Sequence, residues 1–237
     1  MWAILVLAAH AGIPWQDGEK LSYRIGWGLL PVAHAEFAAR KDGALWALHL
    51  DLRSRGPIEA VHPIRDNVDS RAEEASPSAP WRSVRYEEDR SEGRHLRHRV
   101  TDVDYAAHQA VYRDLLKKSA ESFSFKGEGL DDAQSLFYHL RQIDWSQGPE
   151  RRFIPVYYGK KVLQIEVVRK GKEKIDNPMN DDAPPVSCHV LHMRPIDPDP
   201  KKNKEEWATV WLGDDARRIP WRGEFQATFG TFTVTRE

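Results

Sequence analysis

Residues 18–53, GEKLSYRIGWGLLPVAHAEFAARKDGALWALHLDLR, decide the fold of this chain. Their first part, Glu19 to Trp27, alternates apolar with polar residues, which is the period-2 pattern of a half-buried strand. Val32 to Arg40 is a second strand-like run, and Lys41-Asp42-Gly43 is a typical hairpin turn before a third run, Ala44 to Arg53. The stretch therefore predicts an antiparallel meander at the start of the domain.

Similar short runs continue to the C-terminus. We predict further strands at Ile64–Ala72, Arg82–Asp89, Leu96–Val103, Ala107–Arg113, Phe123–Lys126, Arg152–Tyr158, Lys161–Arg169, Glu173–Asp176, Val186–Met193, Trp207–Leu212 and Glu224–Arg236, and a loop or single helical turn at Pro57–Pro63. The number and spacing of these runs indicate a mainly β protein.

One helix interrupts the strands. Asp131 to Ile143 carries an apolar stripe at helical spacing, and Asp131 or Asp132 can accept hydrogen bonds from its first free amides. We therefore expect a single, strongly curved antiparallel sheet, a half-barrel, with this helix packed on its concave face. With no repeat and no sharp shift in composition, residues 12–237 are predicted to form one domain.

The first eleven residues, MWAILVLAAHA, are apolar and uncharged. The small residues Ala9 and Ala11 flank His10, a pattern that predicts signal-peptide cleavage before Gly12 and export, to the periplasm of a bacterium. The alternative is a first buried element of a cytosolic protein. The stretch is too short to cross a bilayer, which takes about 20 apolar residues, so we expect no transmembrane segment.

Composition limits the function classes. Lys and Arg total 35 against 36 for Asp and Glu, a net charge of −1, which argues against nucleic acid as the main partner. The single cysteine, Cys188, rules out an intrachain disulfide and reads as a small buried residue. The oligomeric state is not defined by the sequence.

The sequence contains no Gly-x-Ser-x-Gly elbow, no Walker-type loop and no Gly-x-Gly-x-x-Gly motif. Cys188, His189 and His192 are its nearest approach to a metal cluster, but alternation along a strand places His189 on the face opposite the other two. We therefore predict no metal site, no cofactor and no catalytic residue, and favour a binding protein over an enzyme.

Three segments resemble one family of exported bacterial proteins, the "domain of unknown function 3108" family. The first is GEKLSYRIGWGLLPVAHAEF, from Gly18 to Phe37. The second is an Asp-x-x-Ser-x-x-Tyr-x-x-Arg pattern on the predicted helix, formed here by Asp132, Ser135, Tyr138 and Arg141.

The third is WATVWLGDDARRIPWRGEF, with Val210, Trp211, Leu212, Asp215, Arg218 and Pro220 at the matching positions and Gly230 following. The resemblance covers Gly18 to the C-terminus. It implies an exported or periplasmic β protein that looks like the half-barrel lipoprotein carriers. The family has no assigned activity, so no catalytic residue follows from it.

The aromatic-rich strands and the covering helix favour an envelope protein that binds an apolar or amphipathic ligand, such as a lipid or the acyl chain of a lipoprotein, in a groove of the curved sheet. The predicted ligand-binding residues are Trp27, Phe37, Trp46, Phe137, Tyr138, Arg141, Trp211, Asp215 and Arg218. Two alternatives remain open: an enzyme acting on cell-envelope glycan, which needs two carboxylates across a cleft, and a non-catalytic assembly or structural protein.

Overall fold

The computed structural model describes residues 13–75, 81–199, 201, 203, 207–227 and 230–237. The predicted signal peptide, Met1 to Ala11, lies outside them. Within the described residues the chain forms β1 Glu19–Trp27, β2 Leu30–Asp42, β3 Leu45–Ser54, α1 Pro57–Val61, β4 Ile64–Glu73, β5 Arg82–Glu92, β6 His95–Asp104, β7 Gln109–Asp114, β8 Ser119–Ser124, α2 Ala133–Gln142, β9 Arg151–Tyr158, β10 Lys161–Ile175, β11 Val186–Ile196, β12 Ala208–Gly213, β13 Pro220–Ala227 and β14 Gly230–Arg236.

All fourteen strands belong to one antiparallel sheet in the order β8-β7-β6-β5-β4-β3-β2-β1-β14-β13-β12-β11-β10-β9. Two meanders, β1 to β8 and β9 to β14, are thus joined where the first strand pairs with the last, for example Ile25 opposite Val234. The predicted mainly β, single-sheet fold is confirmed. The sheet is not closed into a barrel, because β8 and β9 remain edge strands.

Three predictions of strand boundaries were wrong. The strand predicted at Phe123–Lys126 is β8, which begins at Ser119 and ends at Ser124. The predicted strands at Lys161–Arg169 and Glu173–Asp176 are one strand, β10, whose register to β11 shifts between Arg169 and Gly171. A bulge absorbs the extra residue, and Gly171 adopts the positive φ of 128° that a side chain would disfavour. Conversely, Glu224–Arg236 is not one strand but the hairpin of β13 and β14, paired up to Ala227 and Gly230.

Helix α2 lies against the sheet and contacts both meanders. Phe137 packs with the cluster around Tyr23 from β1, whereas Leu140 packs with Leu191 and Leu212 from β11 and β12. Tyr138, on a third side, is fully buried in a cluster with Trp46. A sheet that reaches one helix from so many strands must curve around it, and the helix therefore occupies the concave side.

The segment before α2 bridges part of the opening between the meanders. The Ser83 amide of β5 donates to the Leu130 carbonyl at 2.9 Å, while the Asp131 amide donates to the Pro155 carbonyl of β9, also at 2.9 Å. The next amide of β9 in register, that of Tyr157, returns a hydrogen bond to the Asp131 carbonyl. These bonds fix the start of α2 relative to both halves of the sheet.

Candidate functional site

A groove of about 270 Å³ lies between α2 and the sheet. Its lining comprises Tyr23, Phe37, Ala133, Leu136, Phe137, Leu140, Met193, Ala208, Thr209, Val210, Leu212, Pro220, Arg222, Gly223, Glu224, Phe225 and Val234. Most of these residues are apolar. The only charged ones among them, Arg222 and Glu224, flank Gly223 on β13, so their side chains project to the outer face, where they are hydrogen-bonded to each other and Arg222 lies over the Trp211 ring at 5.0 Å. The hydroxyl of Tyr23 donates to the Pro220 carbonyl at 2.9 Å. The groove therefore offers a ligand apolar walls with few free polar groups.

A row of residues in register crosses five strands, and three of its residues, Val210, Gly223 and Val234, form the floor of the groove. Leu191, Val210, Gly223, Val234 and Ile25 are successive cross-strand partners. Gly223 is the gap in this apolar row, and a Cβ there meets only ordinary contacts, the nearest being the Val234 Cβ at 3.6 Å. The absence of a side chain at Gly223 helps to leave this space open.

Of the nine residues predicted to bind a ligand, the structure brings Phe37 and Phe137 into the groove. Their rings stack at 4.2 Å between centroids with 14° between planes, joining β2 to α2. Trp27 lies at the end of β1, 43% exposed, with its ring stacked on Phe232. Whether these residues contact a ligand stays a prediction.

Trp211 and Trp46 lie elsewhere. Trp211 is the strand neighbour of the groove residue Val210, so its side chain points to the outer face, where its indole donates to Glu173 at 2.8 Å. Trp46 is buried in the cluster with Trp15, 5.8 Å away edge to face. Neither lines the groove.

The remaining four predicted residues fix the helix in place. Arg141 is fully buried and donates to both carboxylate oxygens of Glu19, at 2.6 and 3.1 Å, and to the Arg217 carbonyl. Asp215 accepts the amides of Arg217 and Arg218 in the β12–β13 turn. The guanidinium of Arg218, a residue with a φ of 46°, donates to the Arg141 carbonyl.

The motif Asp132, Ser135, Tyr138 and Arg141 is thus a set of helix anchors. Asp132 caps α2 by accepting the amides of Gln134 and Ser135 at 2.7 Å, and its own amide donates to the Ser135 hydroxyl, completing a capping box. Ser70 of β4 donates to the same carboxylate at 2.5 Å. Tyr138 fills the aromatic cluster, and burial raises its pKa.

A second cleft, of about 540 Å³, opens beside the start of α2. Asp131 lines this cleft. Its carboxylate accepts a hydrogen bond from the Ser135 hydroxyl at 2.7 Å and pairs with His139 Nδ1 at 2.6 Å. An Asp–His pair can move a proton. Among the residues that the structure describes, no hydroxyl or thiol is hydrogen-bonded to His139.

The surroundings of Cys188 indicate a structural role for this segment. Burial raises the pKa of the Cys188 thiol to about 12, which disfavours the reactive thiolate. His189 Nε2 pairs with Asp214 at 2.8 Å, and burial lowers the pKa of this histidine. Within the described ranges no group of three or more His, Cys, Asp or Glu residues is placed to hold a metal ion, and no helix there has the length and apolar character to cross a membrane.

Sequence reasoning missed most of the groove. Leu136 and Leu140 were part of the predicted helix stripe, but Gly223, Val210 and Val234 read as ordinary strand residues. The signal that identifies them is their shared register, and it requires knowing how β12, β13 and β14 pair.

Comparison with known proteins identifies the family and the fold of this chain but gives no activity. A family described as "Protein of unknown function (DUF3108)" matches residues 22–237. Among solved structures, a beta-barrel-like protein of the domain of unknown function DUF1849 from Brucella abortus is similar, with a TM-score of 0.61. It shares 8% sequence identity over 92% of this chain and 94% of its own, so the likeness concerns the fold. No curated protein matches the sequence.

Proposed function

This chain belongs to the DUF3108 family, and from that premise we propose that it is an envelope protein that binds an apolar or amphipathic ligand, a lipid or acyl chain, in the groove between α2 and the sheet. The observation that carries the proposal is the predominantly apolar lining of this groove. Ligand sites are commonly apolar clefts with few polar groups.

The size of the groove limits the ligand. Its volume of about 270 Å³ lies just below the range of roughly 300–1,000 Å³ for small-molecule sites. It suits one hydrocarbon chain, or one part of a larger lipid, with the head group left outside.

The test uses a fluorescent fatty acid, a dansyl-labelled undecanoic acid, titrated into the purified protein and displaced by unlabelled oleate. Gly223→Leu fills the space in the floor of the groove. Its matched control is Thr235→Leu, which adds bulk next to Val234 but on the opposite face of β14. We expect Gly223→Leu to weaken binding at least tenfold, a loss of about 1.4 kcal/mol, and Thr235→Leu to change it less than twofold.

Thermal unfolding of both variants verifies that they are folded. Equal binding by wild type and Gly223→Leu would place the probe outside the groove and contradict the proposal. Mass spectrometry of organic extracts of the wild-type protein then identifies the natural ligand, and a stoichiometric lipid class that is absent from folded Gly223→Leu would support it.

Export is the second part of the proposal. It is supported by the apolar start, Met1 to Ala11, followed at once by polar turn residues. Fractionation of bacteria that express the full chain tests it. We expect the mature protein in the periplasmic fraction with Gly12 at its N-terminus, and an uncleaved cytoplasmic protein would contradict this part alone.

A further inference from the structure

Exposed apolar side chains are concentrated at one end of the sheet. In an antiparallel sheet alternate connections lie at the same end, and here that end holds the β1–β2, β3–β4, β5–β6, β7–β8, β9–β10, β11–β12 and β13–β14 connections. Of eleven exposed large apolar residues in the described part of the chain, nine lie at or next to these connections: Trp27, Leu29, Leu30, Val61, Leu96, Leu115, Leu116, Tyr158 and Phe225. We name this set the apolar rim.

Charge divides the molecule in the same way. In the part of the chain that the structure describes, the connections at the apolar rim contain six Lys or Arg and three Asp or Glu, whereas those at the opposite end, including those flanking α2, contain three and eleven, of which Asp131 and Asp132 are buried. One end is therefore apolar and cationic, and the other is strongly anionic. Lys117 and Lys118 directly follow Leu115 and Leu116, so both characters occur within one turn.

We infer that the apolar rim docks on the surface of an anionic phospholipid bilayer. Apolar and aromatic side chains enter the region between head groups and acyl chains, and each Lys or Arg near an anionic surface adds about 1 kcal/mol of attraction. Contact between two copies through this end brings like charges together, which disfavours self-association there. The anionic opposite end is repelled by the same membrane, which orients the molecule.

The groove lies within reach of this surface. Its lining includes Phe225 of the apolar rim and Ala208, the first residue of β12 at the same end. The inference extends the proposed function, because a lipid acyl chain that leaves the bilayer at this surface could enter the groove directly. It stands on separate observations, namely the placement of exposed side chains and charge.

The test is flotation of the full-length protein with vesicles of phosphatidylcholine containing 30% phosphatidylglycerol, compared with pure phosphatidylcholine. The rim variant combines Leu29→Ser with Leu116→Ser. The control combines Phe153→Ser with Met179→Ser, the two exposed apolar residues away from the apolar rim. Leu116 and Met179 are matched, at 53% and 52% exposure. We expect binding to anionic vesicles to fall about tenfold in the rim variant and less than twofold in the control.

Wild-type binding should also weaken when salt is raised, because ions screen surface charge. Equal loss in both variants, or equal binding to neutral and anionic vesicles, would overturn the inference. So would a dimer formed without vesicles and abolished in the rim variant, since the rim would then be a self-interface. Gly223→Leu separates the two proposals: it should keep vesicle binding, while the rim variant should keep the soluble fatty-acid probe.

Discussion

Asp132 shows how one buried carboxyl serves the fold. It caps α2 and accepts a hydrogen bond from Ser70, yet it is fully buried. Burial raises its pKa to about 6, against the lowering effect of its hydrogen bonds. The folded pKa thus exceeds that of an unfolded Asp, so the stability this group contributes is complete below about pH 4 and is lost as the pH rises through about 6.

Replacing Asp132 with Asn keeps a good cap but removes the titration. We expect the unfolding free energy of wild type minus that of Asp132→Asn to decrease by about 2 kcal/mol between pH 4 and pH 7. Urea denaturation at a series of pH values measures this difference. Asp144→Asn is the control, because hydrogen bonds to Ser146 lower the pKa of Asp144 and its difference should not decrease. A flat profile for Asp132→Asn would contradict the account.

At the scale of elements, α2 is fixed to the sheet by a buried ion pair. Arg141, near its C-terminus, meets Glu19 at the first position of β1, and both side chains are almost inaccessible to solvent. An isolated charge left in this place is costly, whereas a well-paired one is tolerated. The pair therefore sets where the helix sits, and with it the width of the groove.

Arg141→Met leaves Glu19 buried, with Arg217 at 3.3 Å as its remaining cation. We expect it to lower the unfolding free energy by about 3–5 kcal/mol, and the double variant with Glu19→Leu to regain a large part of that loss. Lys20→Met, which removes an exposed ion pair with Glu36, is the control and should cost less than about 1 kcal/mol. Additive losses in the double variant would argue against a coupled pair.

At the scale of the whole molecule, both meanders share their core through α2. Leu48 of β3 belongs to a cluster with Tyr138 of the helix, and Leu191 of β11 belongs to one with Leu140. Neither meander can bury its inner face without the helix. The single domain predicted for residues 12–237 should therefore unfold as one unit.

We expect one unfolding transition, coincident by tryptophan fluorescence and far-ultraviolet circular dichroism. Leu48→Ala and Leu191→Ala, in different meanders, should each lower the stability of that same transition by about 2–5 kcal/mol. The measurement is urea denaturation of both variants with both probes. Two separate transitions, each sensitive to only one substitution, would indicate two independent units.

Local patterns in the sequence determined much of this protein. Alternation from Glu19 to Trp27, the turn at Asp42-Gly43 and the apolar stripe of α2 identified the strands and the helix, because backbone geometry imposes periods of 2 and 3.6 on whatever faces a core. The same patterns mistook the bulge at Gly171 for a break and the hairpin before Gly230 for a continuous strand, since both depend on the partner strands.

Only the tertiary structure decided which residues form the groove and what the other residues predicted to bind a ligand do instead. Phe37 and Phe137 meet in the groove. Arg141 instead forms an ion pair with Glu19, 122 residues away in the sequence, and Trp211 points outward. The closing pair of β1 and β14 joins the two termini of the domain. The local period of a strand specifies which side chains share a face, but which faces meet is set by the packing of the whole chain, and no local pattern contains it.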